Sequence, residues 1–150
     1  RRPVRFVMYY KIFQIPVLKF IFKTGKAIPI AARHEDPEIL EQAYVRIHEV
    51  IGAGNVLGIF PEGGITSNGE INSFKKGIEK IVAEQPVTVV PMALCNLWGS
   101  LFSRRDPLHK RRPYKFRARI ELRIGEAIPP ESLTSERLEA AVRKLRGDDC

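Results

Sequence analysis

The sequence predicts an α/β fold with a mostly parallel or mixed sheet flanked by helices. Short apolar runs at residues 27–31, 56–60 and 87–94 alternate with stretches of helical period, and that alternation is the signature of strands joined through crossover helices. The 150 residues suit one domain over 1–150, a length that typically buries roughly 70% of the unfolded surface. With 44% hydrophobic and 28% charged residues, the chain is too apolar to be disordered.

Taken in order, Val4, Met8, Ile12, Ile15 and Phe20 recur at helical spacing beside Arg5, Lys11, Lys19 and Lys23, with Pro16 as a break. This predicts one or two amphipathic helices over 3–22, with a basic fringe suited to a membrane surface. Ala27–Ala31 is a short strand whose Pro29 suits an edge. Asp36-Pro37-Glu38 supplies a cap, a first-turn proline and an early acid for a helix running to about Ile51, stopped by Gly52 and Gly54. Val56–Phe60 is a strand, and Phe74, Ile78, Ile81 and Val82 mark the next helix. Val87–Leu94 gives a third strand. Residues 103–115 are charge-rich and turn-like, 116–124 alternate as a strand with one wet face, and a last helix spans about Ser135–Leu145.

A net charge of +8 and a pI near 9.8 favour an anionic partner: nucleic acid, an acidic membrane surface or a phosphorylated ligand. The two cysteines make neither a metal spacing nor a disulfide framework, and Cys95 reads as a small buried hydrophobe in a reducing location. No metal site is expected. Lysines at 11, 19 and 23 break up any signal-peptide core. The uncharged stretch Gln85–Ser103 is interrupted by Pro86, Pro91, Asn96 and Gly99, so it reads as a buried strand and a loop rather than a membrane span.

In α/β sheets ligands gather beyond the carboxyl ends of the strands, which directs attention to Phe60-Pro61-Glu62-Gly63-Gly64-Ile65-Thr66-Ser67-Asn68-Gly69. Glycines let backbone amides approach a ligand, and the following Phe74-Lys75-Lys76-Gly77 brings two cations to a helix start. An oxyanion or phosphate pocket holding one acid is the reading; a plain connecting loop is its equal on these residues alone.

Phe60-Pro61-Glu62-Gly63, followed eleven residues later by Phe74-Lys75-Lys76-Gly77, resembles the third signature block of the lysophosphatidate-type glycerolipid acyltransferases. Val90-Pro91-Met92 resembles their fourth block and Gly25–Ile30 their second. The wording is most similar to the acyltransferase part of 2-acylglycerophosphoethanolamine acyltransferases. The resemblance implies a glycerol-3-phosphate acyltransferase-like fold. It also implies transfer of a fatty acyl group from acyl-CoA or acyl carrier protein to a lysophospholipid or glycerol-phosphate acceptor, with that thioester as co-substrate and no other cofactor. Work at the cytoplasmic face of a membrane, such as a bacterial inner membrane, follows, with the chain peripheral or attached through other segments to an anionic surface.

The resemblance carries substrate-binding roles to Phe60, Pro61, Glu62, Gly63, Gly64 and Thr66. The family's phosphate-holding arginines are replaced here, so Arg33, Lys75 and Lys76 become the candidates. The family's first block, His-x-x-x-x-Asp, has no counterpart: five residues after His34, His48 and His109 stand Ile39, Ala53 and Tyr114. No catalytic residue is therefore assigned, and the chain is expected to be truncated at its N-terminus and inactive alone. The rival class is a basic nucleic-acid-binding module built on Arg104, Arg105 and Lys110–Arg112. It lacks a recognition motif, and nucleic acid is not expected as a partner.

Overall fold

The computed structural model describes residues 2–14, 20, 22, 24–64, 69–96 and 120–147, and the chain divides into two compact units, Arg1–Phe60 and Pro61–Cys150. The first unit holds three parallel strands, β1 (Val4–Tyr9), β2 (Ile28–Ile30) and β3 (Val56–Gly58), in the order β2-β1-β3. Val7 lies opposite Ile28, and Val4 opposite Val56. Helix α1 (Pro37–Gly52) packs on β2 and β3, and Val7, Ile28, Ala31, Ala43 and Ile47 form the core.

The expected N-terminal helix is replaced by β1. Val4-Arg5-Phe6-Val7-Met8-Tyr9 is rich in β-branched and aromatic residues, and β2 and β3 take up its backbone groups on both sides. That two-sided ladder outweighs the fourfold spacing, which a short apolar run matches almost as readily as it matches a strand. A 3-10 turn, Tyr10–Gln14, follows, and positions 20, 22 and 24 are helical.

The remaining signals of this unit are realised. Asp36 is the N-cap of α1, accepting a hydrogen bond from the Ile39 amide at 3.0 Å, with Pro37 in the first turn. Gly54 turns the chain at φ +72°, in the left-handed region that favours glycine. Pro29 sits in β2, an edge strand of this sheet, where its missing amide costs no ladder bond.

The second unit contains α2 (Gly77–Glu84), an antiparallel pair β4 (Met92–Cys95) and β5 (Glu121–Ile124), and α3 (Ser135–Arg146). Ile78, Ile81 and Val82 are the buried face of α2, as their spacing predicts. Helix α3 packs on β4 and β5, capped by Thr134, which accepts from the Arg137 amide at 3.1 Å. The α/β reading with a parallel sheet flanked by helices therefore stands, with the antiparallel pair as a second sheet.

In β5 the dry face is the reverse of what alternation suggests. Leu122 and Ile124 are exposed while Arg123 is half-buried. On the α3 side Ala93 and Cys95 are small and buried, so there is room for the Arg123 stem. Its guanidinium donates to the Leu145 and Arg146 carbonyls at 3.2 and 2.8 Å, and Glu121 balances the charge at 2.7 Å. A cation at the last carbonyls of a helix is electrostatically favoured, and its stem tolerates burial. Cys95 is not a free thiol, which corrects the reading of a reduced side chain: sequence spacing argues against a metal cluster but not against a long-range bridge.

No helix among the described residues is long and apolar enough to cross a membrane. Thr66 and the basic segment 103–115 lie outside the described residues.

Candidate substrate-binding site

Leaving β3, the chain passes through exposed Phe60, whose ring stacks on Phe6 with centroids 6.2 Å apart. The signature turn then begins the second unit. Pro61 accepts a hydrogen bond on its carbonyl from the Lys75 amide at 2.8 Å. Glu62 is half-buried and accepts through Oε2 from the Asn72 amide at 3.1 Å. The two bonds lay Pro61 and Glu62 beside Asn72 and Lys75.

Gly63 adopts φ +68°, and a Cβ there would stand 2.9 Å from Lys75 Cε. The left-handed backbone conformation is what favours glycine here; the neighbouring atom is the flexible end of a lysine side chain, which can swing aside. Gly64 faces open space, and a Cβ added there would meet nothing within 4 Å. The structure thus brings Glu62, Gly63 and Lys75 together; Lys76, exposed, is the N-cap residue of α2. Two cations at a helix start give this loop a positive rim suited to an anion.

Arg33 belongs to the first unit, exposed in the turn after β2. Two residues on, Glu35 accepts from the Tyr9 hydroxyl at 2.6 Å and from Lys11 Nζ at 3.4 Å. The Tyr9 hydroxyl bond is the main reason the Glu35 carboxyl is held below its ordinary value, and it raises the Tyr9 phenol in turn. This trio fastens the turn carrying Arg33 to the carboxyl end of β1.

Helix α3 supplies side chains that sequence reasoning missed. Glu139 accepts from the Phe74 amide at 2.8 Å, Arg143 donates to the Ile71 carbonyl at 2.8 Å, and Arg146 donates to the Gly69 carbonyl at 2.7 Å. Glu79 of α2 accepts from both the amide and the hydroxyl of Ser135, the amide at 2.6 Å. Only the i, i+4 spacing of Glu139 and Arg143 is visible in the sequence, and it says nothing of distant backbone partners.

These bonds set an acid sensitivity. The Ser135 donors hold Glu79 below the ordinary 4.5, and the Phe74 amide does the same for Glu139. A carboxyl with a lowered folded-state pKa stabilises the fold above its unfolded value and loses that contribution as pH falls through the folded one. Denaturant midpoints should fall as pH drops below the ordinary 4.5, and Glu79→Gln should flatten the decline; an unchanged slope in that variant would count against the Ser135 tie.

The sequence model of a family described as Acyltransferase matches residues 1–95. The chain belongs to the acyltransferase family. The resemblance carried by Phe60–Gly63, Phe74–Gly77 and Val90–Met92 is thereby borne out at family level. Among curated acyltransferases, the chain is similar to a chloroplastic 1-acyl-sn-glycerol-3-phosphate acyltransferase of Arabidopsis thaliana, 30% identical over 90 residues, which are 60% of this chain and 25% of that one. A chloroplastic counterpart from Brassica napus is 31% identical over 90 residues, 60% of this chain and 26% of the other. The chain spans about a quarter of the length of these curated relatives. The fold resembles the crystal structure of the 1-acyl-sn-glycerophosphate acyltransferase PlsC from Thermotoga maritima, with a TM-score of 0.65 at 17% identity, covering 95% of this chain and 56% of that one.

Proposed function

We propose that this acyltransferase domain, within its full-length protein, moves a fatty acyl group from an acyl-CoA or acyl carrier protein thioester to the hydroxyl of a lysophospholipid or acylglycerol phosphate. The observation that carries the reading is the signature loop, in which Glu62, Gly63 and Lys75 converge inside the region matched by the family. The relatives' names, 1-acyl-sn-glycerol-3-phosphate acyltransferases, supply the acceptor class. A 2-acylglycerophosphoethanolamine acceptor is the narrower form of the proposal, resting on the wording of the signature blocks.

In that reaction a general base takes the proton of the acceptor hydroxyl, the oxygen attacks the thioester carbonyl, the new C–O ester bond forms as the C–S bond breaks, and the thiol departs with a proton. No histidine here is followed by an acid at the fifth position, so the 150-residue chain is proposed to be inactive by itself. The loop's part is recognition: Lys75 and Lys76 face the acceptor phosphate, and Glu62 holds the loop in the shape that presents them. Arg33 is a further phosphate candidate, and Phe60, Pro61, Gly64 and Thr66 complete the proposed substrate-binding set. The positive net charge fits work against an anionic membrane surface at its cytoplasmic face.

The test is thiol release by the full-length protein from an acyl thioester, with a panel of lysophospholipid acceptors and with glycerol 3-phosphate. Acceptor-dependent release that drops about tenfold in Glu62→Ala supports the reading. Release independent of any acceptor, or undiminished in that variant, sinks it or the site respectively.

A further inference from the structure

Helix α3 begins forty residues beyond the last residue matched by the family model, Cys95 against Ser135, yet it holds the signature loop from outside. Glu139, Arg143 and Arg146 stand at i, i+4 and i+7, one stripe of the helix. Between them they take one amide and two carbonyls of the loop, at Phe74, Ile71 and Gly69. Residues 69–75 belong to no helix or strand, so their backbone groups must find partners elsewhere. Glu139 and Arg143 also bridge one another at 2.9 Å, which fixes the geometry of both.

The bonds interleave with those inside the loop. Glu139 takes the amide of Phe74, and the next amide, that of Lys75, goes to the Pro61 carbonyl; Arg143 takes the carbonyl of Ile71, and the next amide, that of Asn72, goes to Glu62. A shift of the Phe74 backbone is therefore transmitted within one residue to the bond that closes the Pro61–Glu62–Gly63 turn. The free side of the turn carries Gly63 against Lys75.

We infer that Glu139 and Arg143 are positioning residues: α3 sets the register in which the loop offers Glu62, Gly63 and Lys75 to the acceptor. Neither touches substrate; both act through the loop backbone. The inference rests on the acyl-transfer reading above for its functional consequence, and on hydrogen-bond geometry alone for its mechanical one.

The experiment compares Glu139→Ala, Glu139→Gln and Arg143→Met with wild type in the full-length protein. Steady-state kinetics are run against acceptor and thioester separately, alongside amide hydrogen exchange over residues 69–76 and thermal melts. Glutamine keeps an oxygen that accepts from the Phe74 amide, whereas alanine does not. Glu139→Ala should lower kcat/KM for the acceptor by about tenfold or more, since small misplacements of positioning groups are costly, and should speed exchange at Phe74. Glu139→Gln should restore both to within about threefold of wild type, and the thioester KM should change little in any variant. Full activity in Glu139→Ala despite fast Phe74 exchange overturns the inference, as does a glutamine variant no better than alanine. Should Glu139→Ala fail to fold, the glutamine and Arg143→Met variants decide on the same readouts. Should wild type transfer nothing to any acceptor, the functional reading fails by itself, and unchanged Phe74 exchange in Glu139→Ala then overturns the mechanical one.

Discussion

Gly63→Val in the full-length protein should reduce acyl transfer to lysophospholipid by about a hundredfold while leaving the melting temperature within a few degrees of wild type. A β-branched residue at φ +68° carries a backbone penalty of about 1–2 kcal/mol, and its Cβ would stand 2.9 Å from Lys75 Cε. Lys75 swings its flexible end away from the added Cβ, and the turn relieves the backbone strain by moving; either change displaces a group that the site is proposed to use. Displacement of about 1 Å at a positioning group is enough for a loss on the order of 10²-fold. Gly64→Ala is the matched control: nothing lies within 4 Å of that Cβ, and kcat/KM should stay within about twofold. Equal activity in the two variants would remove the signature turn from the site.

Ile47→Ala should lower stability by about 2–5 kcal/mol, read as a shift in the denaturant midpoint without a change in slope. Ile47 is 0% exposed and lies with Ala43 on the buried face of α1, which covers β2 and β3. Truncation there leaves a cavity in a core that has few large side chains to collapse into it. Val45, 55% exposed on the same helix, should tolerate alanine within about 0.5 kcal/mol. A small loss for Ile47 would mean that α1 is not packed against the sheet as described.

Local signals are the legible part of this fold. The cap at Asp36, the proline at Pro37 and the one-turn spacing of Ile78, Ile81 and Val82 each act within a few residues, and each is realised. The strand β1 escapes a local reading because its identity depends on two partners far along the chain. In β5 alternation is visible, but which face is dry depends on α3 and on the small Ala93 and Cys95 across the pair. At the site, Glu62, Gly63 and Lys75 are readable through the family's spacing. Asn72, Glu139, Arg143 and Arg146 are not, because a side chain that binds a distant carbonyl or amide leaves no pattern in its own neighbourhood.

The parallel sheet also has a kinetic meaning. Its middle strand, Val4–Tyr9, is the first of the three to leave the ribosome, while Val56–Gly58, which must lie beside it, emerges much later. Until then Val4, Arg5 and Phe6 lack the strand they pair with, and closing so long a span costs entropy before any contact repays it. This half of the molecule therefore matures only after Val56–Gly58 has been synthesised, and the interval is when a nascent chain is most open to chaperone capture or to mispairing with a neighbour.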